Sequence, residues 1–408
     1  MKYSRLSIIP LIFLFFVGLF GALIRLIPFT NIFFEYEHIL HSHSHVAFQG
    51  WVFLSFYLIY CQLFIPKDLV NKKVYKILFV AFIVNITGIL VSFLWQGYAF
   101  YSILFSSLFQ LFCYYFIYRF FKDSKTNTLL NQNDISLKFA KWSLIFLMLS
   151  TIGPWVVGVL SAKGLKGSEW FNSAVYFFLH FQYNGFFTLA IFSVLFKYLE
   201  KLPNFNYKTG SLFFKLTTLS VIPAYFVSLL GMSFKDYIEW FAHFSSVLLF
   251  VSLFPLAQLL IVYLQQYSIK NRLIKILAFI IVASYFLKII IQFLSIIPPL
   301  QILGLHNHFV VIAFLHLVFI GTITLFIFAF FLANNWWQSS SKLTQTGISL
   351  FIIAFIISEF LIISLGFLHT IALLKLLALV SFIMFLGIAL VLLNELILVC
   401  TAKPDKLH

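Results

Sequence analysis

Apolar positions in this chain do not alternate with polar ones at a strand or amphipathic-helix period. They run on for about twenty residues at a time and stop at short charged or polar connections. Runs of that length match helices crossing a hydrocarbon core roughly 30 Å thick. Twelve are predicted, at about 6–29, 41–65, 74–97, 98–121, 139–161, 172–199, 212–232, 240–266, 273–297, 306–333, 345–368 and 371–399. The third and fourth are the least separated, with only Gln96 and Gly97 between them. The fold class read from this pattern is all-α, a polytopic membrane protein with a single integral domain over residues 1–408.

Composition supports that class. The 408 residues are 62% hydrophobic and 10% charged, against roughly 25% charged for a soluble domain. The first run follows Lys2 and Arg5 as a signal peptide would. It is too long for that and lacks a small-residue cleavage site, so it is read as a spanning helix. Three cysteines, Cys61, Cys113 and Cys400, form no CxxC pair and give neither a disulfide framework nor a thiolate cluster. The sequence is read as having no internal repeat, low-complexity tract or soluble domain, and residues 122–138 as a polar connection.

A net charge of +15 raises the question of nucleic acid, but the basic residues follow the helix alternation instead. Twenty-one of the 27 Lys and Arg fall in alternate connections, among them Lys67, Lys72, Lys73, Lys76, Arg119, Lys122, Lys197, Lys201, Lys270 and Arg272. By the positive-inside rule both termini are cytoplasmic, as in a bacterial-type inner (plasma) membrane, and the partner is the lipid bilayer.

That orientation turns a scattered set of histidines into a layer. His38, His41, His43 and His45 open the second run, His180 lies in the outer half of the sixth, and His243 starts the eighth. His306 and His308 open the tenth with His316 deeper, and His369 closes the eleventh. All but His408 lie in the outer half. Counting back from the inner ends places His180 and His316 roughly 25 Å above the inner face, with His45 slightly higher. Neutral imidazole ligates haem iron, copper and zinc, and intramembrane ionisable groups are functional candidates. Interfacial hydrogen bonding is the competing reading, above all for His243, His306, His308 and His369. His41 and His45 share a helix face while His43 points away from both. Lys288 and Glu359 fall at similar depth and are a candidate buried pair.

The stretch HNHFVVIAFLHLVFIG, from His306 to Gly321, resembles the helix-10 signature of subunit I of the haem-copper oxidase superfamily, the cytochrome c and quinol oxidases and nitric oxide reductases. The resemblance extends to the twelve-helix plan. It implies a low-spin haem, b type, with His316 as one axial ligand and His43 or His45 as the other. Depth favours His45. It implies a copper ligand at His180, where Tyr183 stands at i+3 and Asn184 at i+4. Two departures stand against a complete oxygen-reducing centre: the proximal haem position reads Phe314, and residues 212–232 contain no histidine. His243, His306 and His308 are the remaining metal candidates. Quinol or cytochrome c as electron donor and further subunits are implied partners. Electron transfer or oxygen or nitric oxide chemistry is the implied function, whether or not the chain is itself an enzyme. A copper- or zinc-binding transporter and a cofactor-free membrane assembly factor are the alternatives.

Overall fold

The computed structural model describes residues 3–30, 35–128, 130–233, 237–267, 269–300, 303 and 307–401. Among these residues, twelve helices are long and apolar enough to cross a membrane, so the chain is an all-α integral membrane protein. They are α1 (Tyr3–Phe29), α2 (Tyr36–Phe64), α3 (Lys73–Gln96), α4 (Phe100–Thr126), α5 (Ile135–Ala162) and α6 (Glu169–Leu199). α7 (Tyr207–Leu229), α8 (Tyr237–Gln266), α9 (Arg272–Leu294), α10 (His308–Ala333), α11 (Lys342–Leu365) and α12 (Ile371–Thr401) follow. A helix is the form a single segment takes in hydrocarbon, where every backbone N–H and C=O must be satisfied within the segment.

Two boundaries differ from the hydropathy reading for physical reasons. α2 starts at Tyr36, so His38 to His45 are helical. The Ser42 hydroxyl donates to the Leu90 carbonyl at 3.2 Å, and His38 Nδ1 meets the Leu94 carbonyl at 3.3 Å, which ties this polar first turn to α3. Between α3 and α4, Gly97 takes φ +60°, and a Cβ there would lie 2.6 Å from the His38 ring. One glycine thus ends one spanning helix and lets the next begin almost at once.

The chain divides into two compact units. The first comprises residues 1–116, 272–278 and 324–408. In it α11 and α12 cross at Gly347 and Gly387, where a Cβ on either would come within 2.6 Å of the other's carbonyl oxygen. Small residues at such a crossing let two backbones approach closely, which is how membrane helices gain contact without a hydrophobic drive. Trp51 of α2 is fully buried and donates its indole N–H to the Thr324 hydroxyl at 3.0 Å.

The second unit comprises residues 117–271 and 279–323. Its apolar centre joins Phe139 and Phe146 of α5, Phe192 and Phe196 of α6, Phe213 of α7, Leu253 of α8 and Tyr285 of α9. The α5 N-terminus is capped from a distance. Glu200, just past α6, accepts from the Ile135 and Ser136 backbone N–H groups at 2.5 and 3.3 Å and from the Ser136 hydroxyl at 2.6 Å. These are donors a helix start leaves orphaned. Burial pushes the Glu200 carboxyl above its ordinary range, and the Ser136 and Ile135 hydrogen bonds oppose that shift without cancelling it.

Candidate functional site

α2, α6 and α10 depart from regular helix at one matching step. Each carries a π-helical segment, at Ala47–Phe53, Phe181–Phe187 and Leu317–Thr324. Each segment begins one or two residues after a histidine: His45, His180 and His316. Each has a glycine five residues after that histidine: Gly50, Gly185 and Gly321. The histidines are 135 and 136 residues apart. Val175–Phe192 and Val311–Phe328 are identical at nine of eighteen positions, including Phe178-Leu179-His180 and Phe314-Leu315-His316. The chain therefore has an internal repeat that hydropathy does not reveal, because the shared residues are spread through uniformly apolar runs.

The glycines let the preceding helix close onto the π segment. A Cβ on Gly50 would lie 2.7 Å from Phe13 of α1, and one on Gly185 would lie 2.6 Å from Phe146 of α5. Single-turn π segments inside helices concentrate at functional sites.

In the first unit, His43 and His45 are separated as their spacing predicts. His43 turns to α1, where its Nδ1 donates to the Val17 carbonyl at 2.9 Å. Gly21, one turn on, leaves room for the ring: a Cβ there would stand 3.2 Å from His43 Cε1. A carbonyl only accepts, so Nδ1 carries a proton. That is the contact by which a backbone carbonyl orients a ligating histidine. His45 turns the other way, with Nε2 2.8 Å from the Tyr98 hydroxyl and its ring stacked on Phe93 at 4.4 Å.

In the second unit His180 is buried at 1% exposure, and both of its ring nitrogens are engaged. Nε2 donates to the Val221 carbonyl of α7 at 2.8 Å, and Nδ1 accepts from the Asn184 amide at 3.1 Å. The Asn184 oxygen accepts in turn from Lys288 of α9, whose ammonium also stands 5.6 Å from the Tyr285 ring centre. Lys288 is 2% exposed, and no acid pairs with it among the described residues. Placed this way, His180 serves a buried polar chain running from α9 through α6 to α7. It has no ring lone pair to offer copper, and His180 does not fit that metal here.

The other candidates do not join it. His243 and His308 are exposed on α8 and at the start of α10, and His306 lies outside the described residues. His316 occupies the step of α10 that His180 occupies on α6. Among the described residues, no group of three His, Cys, Asp or Glu side chains could hold a metal ion together. The candidate pair Lys288–Glu359 finds different partners within each unit: Lys288 meets Asn184, and Glu359 interacts electrostatically with Arg25 of α1. Asn184 was open to sequence reasoning as the residue one turn beyond His180, but its link to Lys288, 104 positions away, was not. No protein-family model and no curated protein matches the sequence.

Proposed function

We propose that the chain is a haem-binding membrane protein of the kind it resembles, carrying electrons or handling a diatomic gas such as oxygen or nitric oxide. The observation that carries this reading is the His43 imidazole, oriented by the Val17 carbonyl at its Nδ1 and given room by Gly21. His43 is taken as the α2 ligand because a backbone carbonyl orients its ring, whereas the ring of His45 meets the Tyr98 hydroxyl. The second residue that would hold the haem, His316, comes from the sequence match in α10. Two imidazoles are the ligand set of a b-type electron-transfer haem, which supplies one-electron chemistry when bound. The recurrence of the histidine, π segment and glycine on α2, α6 and α10 supports these helices as the functional ones.

The protein residues do the holding. Val17 orients the His43 ring, and the buried seam around His180 places the Lys288 amine within the second unit. With Phe314 at the proximal position, the reading is an electron-transfer or gas-binding protein fed by quinol or cytochrome c. We place it in a bacterial inner membrane with both termini cytoplasmic, on the distribution of Lys and Arg.

The test is the reduced and pyridine-treated absorption spectrum of the detergent-purified protein. A bis-imidazole b-haem spectrum is expected, lost in His43→Ala and His316→Ala and kept in His369→Ala. An intact spectrum in His43→Ala sinks the ligand assignment. A cofactor-free wild type sinks the reading.

A further inference from the structure

Once His43 has turned toward α1, the opposite face of the same helix carries a second set of metal donors. His41 and His45 are four residues apart on the regular α-helical stretch Tyr36–Val46, ahead of the π segment. At that spacing the two side chains are neighbours one turn apart, as in helical His-x-x-x-His metal pairs. The loop between α3 and α4 delivers a third donor to them. Tyr98 stands edge-on to His41 with ring centres 4.5 Å apart, and its hydroxyl is 2.8 Å from His45 Nε2. Phe93 lies under the group, stacked on His45 at 4.4 Å and 6.1 Å from His41. The loop is held there by its backbone: Gly97 takes φ +60° against His38, which meets the Leu94 carbonyl at 3.3 Å and Glu35 at 3.7 Å.

We propose that His41, His45 and Tyr98 form a binding site for a first-row divalent cation of the copper–zinc type. The site lies at the end of α2 that the charge pattern puts outside. The donor set is two imidazoles and one phenolic oxygen, which copper(II) and zinc accept and which magnesium and calcium disfavour. The site lies at the surface of the chain, where Tyr98 is 57% exposed and both histidines are half buried. The proton shared by the Tyr98 oxygen and His45 Nε2 is what a metal displaces, leaving a phenolate and a neutral imidazole facing the same ion. The proton leaves to solvent, and the ion's charge makes up the loss. Phe93 supplies an apolar floor that restrains the imidazoles, and water completes the coordination from the open side. The site shares no ligand with the haem reading, so each stands or falls alone.

The experiment uses full-length protein purified through a tag without histidines, stripped with chelator, and titrated with Zn²⁺ alone and Cu²⁺ alone. We expect one equivalent of either ion. Cu²⁺ should show nitrogen hyperfine structure from two imidazoles in its paramagnetic resonance spectrum and a phenolate-to-copper charge-transfer band. His41→Gln and His45→Gln should each weaken binding by about tenfold or more, and Tyr98→Phe should abolish the charge-transfer band. The haem spectrum of His41→Gln should be that of the wild type, which separates this site from the haem ligands. Absence of stoichiometric binding overturns the proposal. So does binding that survives the His41→Gln, His45→Gln double substitution, or bound copper without the Tyr98 band.

Discussion

Lys288 of α9 donates to the side-chain oxygen of Asn184 on α6, in an interior where no acid pairs with it among the described residues. The amide is therefore the ammonium's principal polar partner, and it passes the polarity on to His180 through its own N–H. Leaving a buried donor without its partner costs about 1–3 kcal/mol, whereas replacing both members with apolar groups is often near neutral. Asn184→Ala alone should therefore destabilise the protein by about 1–3 kcal/mol or more. In a Lys288→Met background the same change should cost only about 1 kcal/mol, the loss of an ordinary hydrogen bond. Unfolding in a mixed-detergent titration checks this double-mutant cycle, and strictly additive effects would refute the link.

A pH dependence follows from Glu200. Burial raises its carboxyl pKa in the folded state, so the folded protein holds this proton more tightly than the unfolded chain. The stability that protonation contributes is fully present below the unfolded pKa and is lost as pH rises through the folded one. The stability of wild type relative to Glu200→Gln should therefore decline as pH rises above the ordinary glutamate range, about pH 4. Glu200→Ala should cost about 1–2 kcal/mol, because the α5 start loses its cap. A difference between wild type and Glu200→Gln that stays flat with pH would contradict this account.

Hydropathy was enough for the twelve spanning helices, because a run of twenty apolar residues has few other outcomes in a membrane. The divergence of His43 from His41 and His45 was also legible, since residues two apart on a helix point away from each other. Which way each turned was not. That depended on the Val17 carbonyl and Gly21 on one side, and on Tyr98, brought in by a left-handed Gly97, on the other. The repeat in α2, α6 and α10 escaped a hydropathy reading because Leu, Val and Phe carry no contrast in an apolar run. The π segments that mark it are a backbone property. The engagement of both His180 nitrogens was equally hidden, since it joins residues from three helices far apart in the chain.

The charge pattern makes a prediction about topology. With twenty-one of the 27 basic residues in alternate connections, a reporter fused after His408 should be cytoplasmic and one inserted between Gly164 and Ser168 should be external. The insertion site is a loop between α5 and α6 where a Cβ on Gly164 meets nothing within 4 Å, so it should tolerate the reporter. Both reporters on one side of the membrane would overturn the twelve-helix count, and both reporters on reversed sides would overturn the assignment of inside and outside.

The glycine of the π segment should be far less replaceable than another glycine in the same pair of helices. At Gly185 a Cβ would stand 2.6 Å from Phe146 Cβ, which belongs to the side chain's rigid root rather than a flexible tip. Either α5 must move away or the π segment must shift, at the cost of about 1–3 kcal/mol typical of overpacking. A shift of that segment would also disturb Asn184, which lies within it just before Gly185, and with it the chain from Lys288 to His180. Gly158 of α5 has nothing within 4 Å of its would-be Cβ, and its helical backbone suits any residue. Gly158→Ala should therefore stabilise by about 0.5–1 kcal/mol, through the smaller conformational freedom of the unfolded chain. Unfolding midpoints of the two variants against wild type check both signs. A Gly185→Ala protein as stable as Gly158→Ala would show that α5 and the π segment of α6 are not packed at this glycine.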